Sequence, residues 1–322
     1  MFQRFWSIAK VSFLETVRQP IYGVLLITTA ILMMMNVSLA AFTLEDDDKL
    51  LLDLGLSTLL LSGLFLAAFS AAGVLSREIE NRTAVTVISK PVSRPLFMLG
   101  KFMGLSGAIL LAQYLGLLMF ILCQRHGVLQ NTRDPWDMPV IVFGFGSVIG
   151  GLLAAAFANY FYGKDFPLSA LTLVTPLLTV SVIVVGFFSE KWEVIHFGDN
   201  YVGGQVIIAA FFVLLINLML EAVATAASTR CGQLATLLIC VVFLGTAIVS
   251  DYTFGQREGL SSALYHVTPN VGPLWIVDGL TGASQEGFVP FSYVGWATLY
   301  ALLITAGVLS IGVALFQRRE VG

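Results

Sequence analysis

Glu221 raises the first chemical question in this chain. In INLMLEAVATAASTR, residues 216–230, it is the lone acid in a run that is otherwise apolar or small, and it lies nine residues before Arg230. If that run crosses a bilayer, nine residues of helix put it about 13 Å from the boundary marked by Arg230. An ionised carboxylate that deep costs about 3 kcal/mol even on the gentle insertion scale, so it must face a cavity or a partner. Asn217, four residues earlier, shares its helical face. Two readings stand side by side: a polar spot on a path through the membrane, or a group tied down by a helix–helix hydrogen bond or by reaching the near interface.

A second concentration of chemistry is REIENRTAVTVISKPVSRPLFMLGK, residues 77–101. It holds Arg77, Glu78, Glu80, Arg82, Lys90, Arg94 and Lys101 in a chain only 11% charged. About 25 residues exceed a simple turn and fall short of a domain. Ala84, Val85, Val87 and Ile88 offer a short apolar face before Pro91 interrupts, and Pro95 marks where a helix restarts. So small an amphipathic, mixed-charge element has too little area to hold itself together. It suits docking on a soluble partner, against the plainer reading of a solvated loop whose cations only set topology.

The elements that must position both groups are membrane spans. Hydrophobic residues make up 57% of the 322, and the mean hydropathy is +0.87, above the roughly 45–50% apolar content of soluble domains. Apolar runs of about 20 residues recur, the length that crosses about 30 Å of hydrocarbon. Eight are drawn: 20–42, 54–76, 102–124, 139–161, 166–188, 205–227, 233–250 and 290–316. The expected fold is therefore all-α, polytopic, a single transmembrane domain over 1–322. The first run is too long for a signal-peptide core and lacks a small-residue cleavage site.

Charge gives the orientation. With the N-terminus inside, one side holds Arg4, Lys10, Arg18, the five cations of 77–101, Lys164, Arg230, Arg318 and Arg319. The other keeps Lys49, Arg125, Arg133, Lys191 and Arg257, beside the acids Glu45, Asp46, Asp47, Asp48 and Asp53. The preference of Lys and Arg for cytoplasmic loops places both termini, and 77–101, in the cytoplasm.

Smaller signals add detail. Phe2, Phe5, Trp6, Ala9 and Phe13, interleaved with Arg4, Lys10 and Arg18, describe an amphipathic helix over 1–19 lying in the headgroup layer, the alternative being a plain extension of the first span. Gly146 and Gly150 form a GxxxG and predict a helix-packing face. Pro176 inside its run predicts a kink. The aromatic, Gly-rich link 251–289 predicts an interfacial or re-entrant cap on the outer side. The three cysteines are expected to be free thiols, because Cys123 and Cys231 fall at opposite faces.

Other chemistry is absent from the sequence. No GxxxxGK[ST] loop, HExxH pair or GxSxG turn occurs. His126, His196 and His266 are far apart in outer links, where solvated or interfacial histidines are the plain reading. The chain is not expected to be an enzyme or to carry a metal, and nothing in it points to nucleic acid.

REIENRTAVTVISKPVSRPLFMLGKFMG resembles the cytoplasmic loop of ABC-2-type transporter permeases, in the branch that includes the permeases of nitrous-oxide-reductase copper maturation and of gliding motility. Glu78, Glu80, Arg82, Thr83, Lys90, Pro91, Val92, Ser93, Arg94, Gly100 and Lys101 match that family's pattern. Weaker matches fall in order at ETVRQPIYGVLL (15–26), AVATAASTRCGQLATL (222–237), HVTPNVGP and LFQRREVG. The resemblance implies the permease subunit of an exporter, in a bacterial inner membrane. It implies a separate cytoplasmic ATPase that binds ATP and magnesium and docks on 77–101, and two permeases per complex, either a homodimer or an unlike pair. The family has six spans, so 139–188 would be an extra hairpin. A non-transporting scaffold that anchors an ATPase is the alternative from another class. The cargo is not readable.

Overall fold

The computed structural model describes residues 2–41, 47–76, 93–129, 136–199, 201, 204–255, 268–277 and 289–317. Within them the chain forms nine α-helices: α1 Phe2–Val17, α2 Pro20–Ala40, α3 Asp47–Ala71, α4 Arg94–His126, α5 Met138–Tyr162, α6 Phe166–Val185, α7 Gln205–Ser228, α8 Gln233–Phe254 and α9 Phe291–Gln317. Helices α2 to α9 are long and apolar enough to cross a membrane, eight among the described residues. No β-strand occurs among them, only an isolated bridge between Phe188 and Val194.

The drawn spans and the helices coincide closely, with instructive differences at the ends. Asp47, Asp48 and Asp53 lie inside α3, two of them in its first turn, where negative charge suits the helix dipole. A π-helical turn, Ala72–Ser76, finishes α3. Helix α4 begins at Arg94 with Pro95 in its first turn, the restart that Pro95 signals. Its 33 residues make it about 50 Å long, well beyond the hydrocarbon thickness. Helix α6 runs on through Pro176, so the proline does not end it.

Helix α7 is the centre of the bundle. It packs on α3, α4, α8 and α9, and most of its residues are buried, from Val206 to Ser228. Helices α5 and α6 pack chiefly on each other and join the rest through α4. Apolar crevices of about 330 and 350 Å³ separate this hairpin from α2 and share Ala30, Met119 and Val148.

One sequence expectation needs correction here. Among the described residues nothing packs on Gly146 or Gly150; a Cβ on either would meet no atom within 4 Å. The contact face of α5 lies one residue over, at Ser147, Gly151 and Ala155, where a Cβ on Gly151 would strike Val174. Helix α1 is a separate helix ended before Pro20; the stripe it buries against the protein is Ala9, Ser12 and Thr16, and Phe2 and Trp6 are exposed. Small residues line that stripe because α4 offers glycines to it: a Cβ on Gly104 would lie 2.3 Å from the Ala9 carbonyl oxygen.

Candidate functional site

One end of the bundle gathers most of the predicted coupling residues that are described. Arg94 donates to the Gln317 carbonyl at 2.6 Å and to Phe316 at 3.4 Å, and Arg230 donates to Leu315 at 3.0 Å. Two cations from different links thus cap the exposed carbonyls at the C-terminus of α9, the arrangement the helix dipole favours. Lys101 pairs with Glu15 at 3.5 Å and sits 5.7 Å from the Phe97 ring centre. Gly100 is buried against Ile8 and the Phe5 carbonyl. Both are therefore turned onto α1, inside α4, rather than outward from a loop. Arg18 pairs with Asp165 at 3.2 Å, and Gln19 lies against Gly73 of the π turn. The N-terminal link, the α5–α6 and α7–α8 links, the start of α4 and the end of α9 accordingly share one end, as the charge count requires. Glu78, Glu80, Arg82, Thr83, Lys90 and Pro91 lie outside the described residues.

The opposite end contains a site that the sequence reading passed over as a loose outer cation. Arg125, at the end of α4, donates to Asp137 Oδ2 at 3.0 Å, to the Val185 carbonyl at 3.2 Å and to the Phe188 carbonyl at 2.6 Å. Its guanidinium lies 5.8 Å from the Tyr201 ring centre. The paired side chains are 2% and 0% exposed. Asp137 also caps α5 by accepting from the Val140 N–H at 3.1 Å. The Tyr201 hydroxyl donates to the Val182 carbonyl, and burial pushes its phenol up to about 12, with Arg125 opposing and Asp137 adding. One guanidinium ties α4, α5, α6 and the link after α6 together. Its signal in the sequence was the pair itself: an Arg closing an apolar run, and an Asp two residues before Pro139.

Between the two ends lies Glu221, wholly buried. Its Oε2 accepts from the Ser106 hydroxyl of α4 at 2.8 Å. A helix–helix hydrogen bond is thus present, and the carboxyl does not reach an interface. Asn217, also wholly buried, donates to the Leu59 carbonyl at 3.2 Å, and Gln113 donates to the same carbonyl at 3.0 Å. Gly63 makes room for Asn217; a Cβ there would lie 2.0 Å from the amide nitrogen. Helix α7 therefore presents Asn217, Glu221 and Thr225, one turn apart, to α3 and α4.

The remaining expectations are quickly placed. Cys123, Cys231 and Cys240 are free thiols. Among the described residues no group of three His, Cys, Asp or Glu side chains could hold a metal ion. His126 closes α4 beside Trp136, His196 is exposed, and His266 is outside the described residues. Of the link between α8 and α9, residues 268–277 turn back onto the bundle: Val271, Leu274 and Val277 are buried, and Tyr300 both accepts from the Asn270 N–H at 2.7 Å and donates to the Asn270 carbonyl at 3.0 Å.

These features define a helical membrane protein with a buried polar line through its central helices. No protein-family model matches the chain, and no curated protein matches it.

Proposed function

We propose that this chain is the permease subunit of an ATP-driven exporter of the ABC-2 type, moved by a separate cytoplasmic ATPase that docks on residues 77–94. The observation that carries the reading is the mixed-charge stretch itself, with Glu78, Glu80, Arg82, Thr83 and the Lys90–Arg94 run matching the family pattern in order. ATP and magnesium belong to the partner, since the chain has no nucleotide loop. A second permease, of the same or another chain, completes the complex in a bacterial inner membrane.

The packing supports this reading by giving the stretch something to move. Force on residues 77–93 enters α4 at Arg94, and α4 is locked to α9 through the Arg94 cap and to α1 through Lys101, Gly100 and Gly104. A push at that point shifts three helices as one body, the kind of transition that converts nucleotide-driven closure into a change of access. Helices α5 and α6 pack chiefly on each other and reach that body through α4, which suits an added hairpin.

The test is co-purification of the ATPase with the intact membrane protein. Glu80→Lys with Arg82→Glu should reduce the recovered ATPase at least tenfold, while the chain itself stays in the membrane at normal abundance. Undiminished recovery would refute docking at this stretch.

A further inference from the structure

The gap between α2 and the α5–α6 hairpin has two halves of different character. Helix α2 packs on α3 and α4, the hairpin packs chiefly on itself and on α4, and α4 floors the crevice between them. The half of about 350 Å³ runs along α2 from Pro20 to Ala30, about 15 Å of helix, the depth of one leaflet. The half of about 330 Å³ continues from Ala30 to Ser38.

Below its rim the first half offers little but hydrocarbon. Tyr22 and Thr29 stand in its wall, but their hydroxyls donate to the Ala108 and Leu25 carbonyls, each at 2.8 Å. Gly23, Ile27, Leu152 and Ala170 are among the other wall residues. Such a surface does not hold water, and left unfilled it forfeits dispersion contacts. Gly23 adds room: a Cβ there would meet no atom within 4 Å.

Positive charge marks the rim. Pro20, Phe166 and Pro167 close this end of the crevice, and Arg18, Lys164 and Asp165 stand just before them in the chain. Arg18 and Asp165 pair at 3.2 Å, both partly exposed, and Arg18 has no other partner among the described residues. Lys164 is exposed, and its ammonium has no partner among them. The rim is therefore net positive. At the far rim, the cation next to His126 is Arg125, and its guanidinium is spent inside the protein.

We propose that the half-crevice from Pro20 to Ala30 is a binding site for one anionic phospholipid. An acyl chain lies on α2 and α4 beside the hairpin, and the phosphate headgroup rests on Lys164 and Arg18. Wall and rim match that amphiphile in order, and basic pockets between membrane helices hold such headgroups. A second copy standing parallel in the membrane would instead bring its own basic end against this rim. The site is independent of the ATPase reading and stands or falls by itself.

The test is native mass spectrometry of the full chain, stripped of lipid in detergent. It is titrated with phosphatidylglycerol or with phosphatidylethanolamine of the same acyl chains. Phosphatidylglycerol should bind at about one per chain and about tenfold tighter, as cations at a headgroup predict. Arg18→Ala with Lys164→Ala should erase that preference. Gly23→Leu, which grows into the crevice, should weaken phosphatidylglycerol binding at least tenfold while melting in lipid-free detergent stays unchanged. Equal binding of the two lipids would mean ordinary boundary lipid and overturns the proposal. So does a preference that survives the double substitution, or tight binding that survives Gly23→Leu, since each puts the lipid elsewhere. Disulfide formation between two copies carrying Ile27→Cys would seat a second chain in the crevice, and also overturns it.

Discussion

Arg125 and Glu221 are both charged-type side chains sealed inside an oily bundle, and they are treated in opposite ways. Arg125 spends its guanidinium on one carboxylate, two carbonyls and an aromatic ring. Glu221 has one hydroxyl on one oxygen and nothing described on the other. The first arrangement has a partner on every nitrogen and serves to pin α5 and α6 to α4. The second is open. Burial alone therefore does not tell how firmly a charged-type side chain is held; the partners on its atoms do.

That contrast can be broken by substitution. Arg125→Leu leaves Asp137 alone in a site from which water is excluded, and should destabilise the protein by about 3–5 kcal/mol. Chemical unfolding in nanodiscs would show it, and Arg125→Lys should not rescue, because an ammonium cannot reach the carboxylate and two carbonyls as a planar fork does. If Arg125→Leu melts like wild type, the clamp is not structural. The next largest effect falls on the α1–α4 contact. Gly104→Leu would drive a side chain into the Ala9 carbonyl and the Phe13 amide, costing about 1–3 kcal/mol through overpacking. Its direct readout is loss of cross-linking between cysteines placed on α1 and the start of α4, with persistence of the cross-link contradicting the packing described.

Glu221→Gln sharpens the comparison from the other side. It keeps the shape and an oxygen for Ser106, so its stability should stay within about 1 kcal/mol of wild type. A loss as large as that of Arg125→Leu would make Glu221 a structural group like Arg125. The smallest effect belongs to Arg18→Ala. Its pair with Asp165 is 49% and 37% exposed, and such pairs contribute about 0–1 kcal/mol. A larger loss would mean that the α5–α6 link is held to α1 by more than this bridge.

The spans were legible because a 20-residue apolar run has few other uses in a chain, and the restart at Arg94 was legible because Pro95 can open a helix but not continue one. Helix rotation was not. On α5, residues on every side are apolar or small, so nothing in the letters distinguishes Gly146–Gly150 from the true contact at Ser147–Gly151. On α1 the close approach made by Ala9 and Ser12 against Gly104 was likewise not legible, because small residues give no signal of which helix they meet. Glu221 and Asn217 could be singled out as sharing a face. Their partners Ser106 and Leu59 lie 115 and 158 residues away in sequence, joined only by tertiary packing. Arg125 was counted for its charge, and its pairing with Asp137 was missed because both sit at span ends, where ions are expected anyway.

The claim on which the rest depends is that residues 77–93 hang on the cytoplasmic side, where an ATPase can reach them. Ser93, exposed just before α4, is the place to ask. With Cys123, Cys231 and Cys240 replaced by Ala, a single cysteine at position 93 is offered a membrane-impermeant maleimide in intact cells and again after permeabilisation. Labelling only after permeabilisation is the expected result; full labelling of intact cells would put the stretch on the wrong side of the membrane and contradict the account.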